Sequence, residues 1–353
     1  MSAGGRVRHV AIGDPQAPFE TFLQVLEGHG LLDADRRLHA DVHLVSMGDH
    51  FDFGKAAVRA QAGEDGLRIL TWLASHPPSQ ATILLGNHDL ARVCELRGFD
   101  DQSFRVAHEE ARALYEAEAD ETEFMTRHPS VPDAESLARD YACFSVAQRT
   151  LVTELLRNRR FRLATHHAGL LMVHAGVTID DLAAAGITET SAEGVARALN
   201  RTLDAAVDAW THGPLELGSL HKPGSAAHGE GRGVLYHRPC DPACEDPSKL
   251  AGPPHRRYDP RRLPSTFPQA IGHIRDDKCR ELMRAWSAPG RGVDGVLRSL
   301  TVRDQGVTYA VGCDPDARLI FTDAGMLYVA PQDYPLLDLD TRQPFARGGD
   351  TGR

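Results

Sequence analysis

The chain has 353 residues, of which 42% are hydrophobic and 25% charged, with a formal net charge of −10. That is the balance of a globular protein with a sizeable core, in one large domain or two ordinary ones. An acidic surface repels a long polyanion, which argues against general nucleic-acid binding, yet a small phosphorylated ligand can still enter a metal-lined cleft.

The opening residues "MSAGGRVRHVAIGD" lack the apolar core of a signal peptide, and no apolar run nears the roughly 20 residues of a membrane helix. A cytoplasmic protein is expected, with its six cysteines as free thiols. Cys240 and Cys244, in "CDPAC", have metal-like spacing with His237 nearby, but nothing completes a four-ligand zinc set.

In chain order, the strand-like run "VRHVAIGD" ends on Asp14 and is followed by the helical pattern "FETFLQVLEGHGLL". "ADVHLVSMGD" ends on Asp49 and precedes the helical "GEDGLRILTWLASH". "ATILLGNHD" ends on Asn87 and His88. Residues 99–160 break this rhythm with the charged, helix-prone "RVAHEEARALYEAEADETEFM", an expected helical insertion, before "SVAQRTLVTELLRN" leads back to the sheet. "GLLMVHAG" ends on His174, and "PQAIGH" ends on His273. Between them, residues 212–265 are rich in Gly, Pro and His and read as a long irregular loop. Residues 1–335 form one expected domain, and 336–353 a tail whose end, "PFARGGDTGR", is expected to be disordered.

Strands alternating with helices predict an α/β sheet, and such sheets collect ligands at the carboxyl ends of their strands. All five polar clusters fall there. Taken singly, each Asp is a turn former or helix cap, and each His a hydrogen-bonded structural residue. Taken together, Asp14, Asp49, Asn87, His174 and His273 are oxygen and imidazole donors at separate strand mouths. A carboxylate among them can bridge two divalent cations, and such a pair can clamp a phosphoryl group and activate water.

The blocks "GD" at 13–14, "GDHFD" at 48–52, "GNHD" at 86–89, "VHAG" at 173–176 and "GH" at 272–273 resemble, in order, those of the calcineurin-like metallophosphoesterases. "GNHDL" and "VHAGV" are most similar to the branch of the phosphoprotein phosphatases and bacterial dinucleoside tetraphosphatases. The resemblance implies a four-layer αββα sandwich of two mixed sheets, an α/β (α+β) fold, with the insertion added. It implies Asp14 on a first metal, Asp49 bridging, and Asn87, His174 and His273 on a second. It implies His88 as general acid and Asp52 as the group that orients it.

Two residues depart from the family pattern. Gln16 stands where a His is usual; its amide oxygen is a harder donor that favours manganese, with iron, zinc, nickel or magnesium as other candidates. Phe53 stands where the phosphatase branch has a phosphate-gripping arginine. Lys55 is close but displaced, so Arg238, in "GVLYHRP", and Arg275, after "GH", are the candidates for phosphate.

The expected activity is hydrolysis of phosphate esters of small molecules, nucleotides or proteins by metal-activated water. Rival readings are a nucleotide or dinucleoside-polyphosphate pyrophosphohydrolase, a non-catalytic phospholigand-binding protein on a decayed esterase fold, and a nuclease. Gln16 and Phe53 support decay; His88 and Asp52 oppose it, since a binder needs no general acid.

Overall fold

The computed structural model describes residues 6–54, 58–141, 143–244 and 257–346. The first half builds β1 (Arg8–Ile12), α1 (Phe19–Gly28), β2 (Val42–Ser46), α2 (Arg59–Ala74), β3 (Ala81–Leu84) and α3 (Asn87–Ala91). There follow α4 (Asp101–Glu116), α5 (Thr122–Arg127), α6 (Val146–Arg157), β4 (Phe161–Arg162), the hairpin of β5 (Ala164–His167) and β6 (Leu170–Val173), α7 (Ile179–Ala184) and α8 (Ala192–Ala209). Short strands β7 (His221–Lys222) and β8 (Arg232–Gly233) pair together, as do β9 (Arg238–Pro239) and β10 (Arg257–Tyr258). The chain closes with β11 (Gln269–Ile271), α9 (Asp276–Met283), β12 (Arg298–Arg303), β13 (Gly306–Val311), β14 (Leu319–Phe321) and β15 (Leu337–Asp338).

Two mixed sheets result, one of order β15-β1-β2-β3-β4 and one of order β13-β12-β14-β11-β6-β5. Strand alternation sorts their side chains into layers. Ala11, Val45 and Leu84 of the first sheet meet Met172, Ala270 and Ile320 of the second in one buried cluster between them. Val10, Ile12 and Leu44 point outward against Phe22 and Leu26 of α1 and Leu70 of α2. On the far side, Leu171 and Val173 share a cluster with Val195 and Leu199 of α8. The architecture is the expected α/β (α+β) four-layer sandwich.

The central strands are parallel: β1, β2, β3 and β4 in one sheet, and β6, β11 and β14 in the other. Ile12 is level with Ser46, and Ser46 with Ile83. Ala270 is level with Met172, and Ile271 with Phe321. The loops after these strands therefore leave both sheets at one edge, side by side.

The stretch expected as an insertion has its own small core, in which Phe104, Ala107 and Ala111 of α4 pack with Phe124, Leu137 and Tyr141. Ser145 caps α6 by accepting from Gln148 N. The expected tail from 336 is corrected by the structure: β15 adds antiparallel to β1, Leu336, Leu337 and Leu339 are fully buried, and Phe345 packs on the main core. Three leucines in four residues supply enough apolar surface to hold that edge. Residues 347–353 lie outside the described residues. Among those described, no helix is long and apolar enough to cross a membrane.

Candidate metal centre

The loops at this edge are held in costly backbone conformations. Asp49, Asp52 and His273 have φ of 54°, 65° and 66°, left-handed values that cost about 1–3 kcal/mol each in a non-glycine residue and cluster at functional sites. Asp89 over-determines the first loop. Its carboxylate accepts from Asp49 N at 3.1 Å, His50 N at 3.1 Å and Gly86 N at 2.9 Å. Gly86 is required by close approach: a Cβ there would lie 2.1 Å from Asp49 Oδ1.

Asp49, His174 and His273 offer ligand atoms that all lie within 4.8 Å of one another, and all three residues are buried. His174 Nδ1–H donates to the Met47 carbonyl at 2.8 Å. In the neutral ring, that bond turns the Nε2 lone pair inward. There it meets Asn87 Oδ1 at 3.0 Å and Asp49 Oδ2 at 3.4 Å. Three lone-pair donors thus converge on one point. Burial raises the Asp49 carboxyl, but the imidazoles of His174 and His88 outweigh it and hold the group low.

Asp14 stands beside them. Its Oδ2 accepts from His273 N at 2.7 Å, while its Oδ1 is buried without a partner, as is His273 Nε2. Burial, then the Asp323 carboxylate, then Asp49, push the Asp14 carboxyl well up. Burial, then Arg238 and His174, push His273 well down. Gly272 leaves a cradle at Asp14, since a Cβ there would lie 1.9 Å from Oδ1. Orphaned buried donors, a cradle and a mixed oxygen and imidazole set suit divalent cations.

His88 Nδ1–H donates to Asp52 Oδ2 at 2.9 Å, and its Nε2 is 3.9 Å from Asp49 Oδ2. Asp52 is saturated: Oδ2 also accepts from Arg92 at 2.6 Å, and Oδ1 accepts from Cys143 N at 2.9 Å and Cys143 Sγ at 3.2 Å. Burial raises Asp52, but Arg92 and His88 outweigh it and bring it down to about 2. For His88, burial lowers the pKa, and Asp49 with Asp52 reverse this to about 9.

A cavity of about 560 Å³ borders the centre at Asp14 and is lined also by Gln16, Asp52 and Asp323 with the guanidinium-bearing Arg59, Arg139 and Arg275. Gln16 Nε2 donates to the Phe51 carbonyl at 2.9 Å. Phe53 is buried against Ala62, Cys143 and Leu327. Arg275 lies over the Tyr328 ring, 4.5 Å from its centroid. Arg238, on β9, is outside that lining, with its Nε buried and its charge depressing His273. Lys55 lies outside the described residues, as does the side chain of Cys244; His237 faces Asp181 at 3.3 Å.

Sequence reasoning missed Arg92, Arg59, Arg139 and Asp323. Arg92 follows His88 by four residues, the spacing of neighbours on one helix face. Asp323 ends "RLIFTD", the same apolar-run pattern that marked the other five clusters. A second group of donors, His9, His167 and Asp340, lies at the opposite end of β1. There Arg6, 3.3 Å from Asp340, already supplies a cation.

No family model matches the chain, and no curated protein matches it. Among solved structures it is similar to the cold-active protein-tyrosine phosphatase of a psychrophilic Shewanella species, at 12% identity and a TM-score of 0.43, over 97% of this chain and 81% of that one. It is also similar to another structure of a cold-active protein tyrosine phosphatase, at 13% identity and a TM-score of 0.40, over 94% and 73% of the two chains. Overlap this low assigns neither a family nor an activity.

Proposed function

We propose that the protein is a binuclear metal-dependent phosphoesterase, a phosphatase on phosphorylated small molecules, nucleotides or proteins. The observation that carries this reading is the convergence of buried Asp49, His174 and His273 within 4.8 Å, beside an unpartnered Asp14 oxygen. Asp14, Asp49 and the Gln16 amide oxygen would hold the first cation; Asp49, Asn87, His174 and His273 would hold the second. When bound, two divalent cations lower the pKa of water and neutralise phosphoryl oxygens. Asp52 fixes the His88 ring through Nδ1, which leaves Nε2–H to protonate the departing oxygen. Arg275 on the cavity wall and Arg238 behind His273 supply the positive charge that a phosphate needs.

The His88–Asp52–Arg92 chain favours catalysis over mere binding, because a ligand site has no use for an oriented proton donor. The test is hydrolysis of an aryl phosphate, a phosphodiester and a dinucleoside polyphosphate, each with manganese, zinc and magnesium. Asp49→Asn is expected to abolish turnover and bound metal together. Two tightly held cations in that variant, or no turnover by the metal-loaded wild type, would overturn the reading.

A further inference from the structure

We infer that Asp323 is a sixth strand-mouth ligand, a carboxylate that serves the first cation where Gln16 stands in place of an imidazole. This rests on the proposed two-metal site and adds a residue that the five sequence blocks do not contain.

The topology puts Asp323 there. β14 lies parallel to β11, with Phe321 level with Ile271, so Asp323 leaves β14 where His273 leaves β11. Thr322 keeps the two loops together by donating its amide to the Ile271 carbonyl at 2.8 Å. Asp323 shares the cavity wall with Asp14 and Gln16 and is only 7% exposed.

Among the described residues, the charges of Arg298 and Arg275 reach Asp323, but burial outweighs them, and no side chain pairs with its carboxylate. Asp323 Oδ1 accepts from Gly325 N at 3.1 Å, and Asp14 Oδ2 from His273 N; both donors are neutral backbone amides. The buried Arg298 reaches the loop, but its guanidinium donates to the backbone carbonyls of Asp323 and Ile274. Among the described residues, no ion pair is made to either carboxylate within 4.0 Å. Two neighbouring buried carboxylates with no direct ion pair are unfavourable, and Asp14 carries an oxygen with no partner at all. A cation between them satisfies both groups. The Gln16 amide, tied to the Phe51 carbonyl, contributes no charge. Drawn together with Asp14 and Asp49 by a cation, Asp323 would make the first site an oxygen site of three carboxylates, a set suited to manganese or magnesium over zinc.

The experiment uses the full chain, stripped of metal and titrated with Mn²⁺ by calorimetry, with metal content measured after dialysis. Wild type is expected to retain two equivalents. Asp323→Asn is expected to retain one, with affinity at the other site reduced on the order of 100-fold, the upper end of what even indirect partners contribute. The metal-free variant should also melt higher than metal-free wild type, because one of two neighbouring buried carboxylates has become neutral. Asp323→Cys is expected to gain cadmium affinity and a thiolate–cadmium ultraviolet band, since a soft donor now faces the ion. Two equivalents at unchanged affinity in Asp323→Asn, or no such band in Asp323→Cys, would overturn the inference while leaving the two-metal reading intact. A wild type that binds no metal would sink both.

Discussion

His88 and Asp52 are joined through Nδ1 and Oδ2 at 2.9 Å, so the imidazole has one nitrogen fixed and the other facing the metal donors. If His88 gives a proton to the leaving oxygen, His88→Asn should keep its metals and lose about 10²–10⁴-fold in rate on substrates with poor leaving groups. The loss should shrink for leaving groups that depart unprotonated. Rates of wild type and variant over aryl phosphates of graded leaving-group pKa check this, and a uniform loss removes His88 from the acid role.

The same pair sets a pH dependence. In the metal-free protein Asp49 and Asp52 raise His88 to about 9; cations held by Asp49 offset its share, Asp52 keeps raising the group, and the proton is lost as pH rises through the resulting value. Removing the Asp52 charge removes part of the raising effect. Asp52→Asn should therefore bring the alkaline fall in activity on poor leaving groups to lower pH. Profiles of kcat/KM for the two proteins decide it; an unmoved alkaline limb would assign that limb to another group.

Arg92 is fully buried and hydrogen-bonds Asp52, the His88 carbonyl, the Cys143 carbonyl and Gln148. Removing one partner of a buried ion pair strands the other charge, so Arg92→Met should cost about 3–5 kcal/mol in denaturant unfolding. Asp52→Asn in the same chain should recover part of that loss, because the stranded carboxylate is gone. Strict additivity of the two substitutions would show that the pair is not coupled.

Gly272 offers a test of the cradle that alters no ligand. The Cβ of Gly272→Ala would lie 1.9 Å from Asp14 Oδ1 and 3.4 Å from Met47 Cβ, so the carboxylate must move. Metal-free stability should fall by about 1–3 kcal/mol from overpacking. Manganese affinity should fall as well, with one of the two equivalents weakened. Unchanged titration curves would place the cation away from Asp14.

Gln16→His restores the imidazole of the resembled family beside the cavity. A softer donor should raise zinc affinity relative to manganese, and Gln16→Ala should weaken only the first cation. Parallel titrations with both metals test this. Identical curves for all three proteins would reduce Gln16 to the turn residue that its bond to the Phe51 carbonyl by itself describes.

The strand mouths were legible in the sequence because their signal is local. An apolar run, a glycine and a polar donor lie within a few residues, and a parallel sheet places such ends on one edge. Asp14, Asp49, Asn87, His174 and His273 all follow that rule, and so does Asp323, whose run was present but unread. The partners of these residues obey no local rule. Arg92 reaches Asp52 across 40 positions, and β15 joins β1 from the other end of the chain. A two-residue strand has no periodicity to read, and an arginine in a charged, helix-rich chain does not show that it is buried. Local sequence wrote which side chains stand at the strand ends; only the packing of the two sheets decided which carboxylates are buried near one another without a direct ion pair, because desolvation and charge pairing depend on neighbours brought together through space.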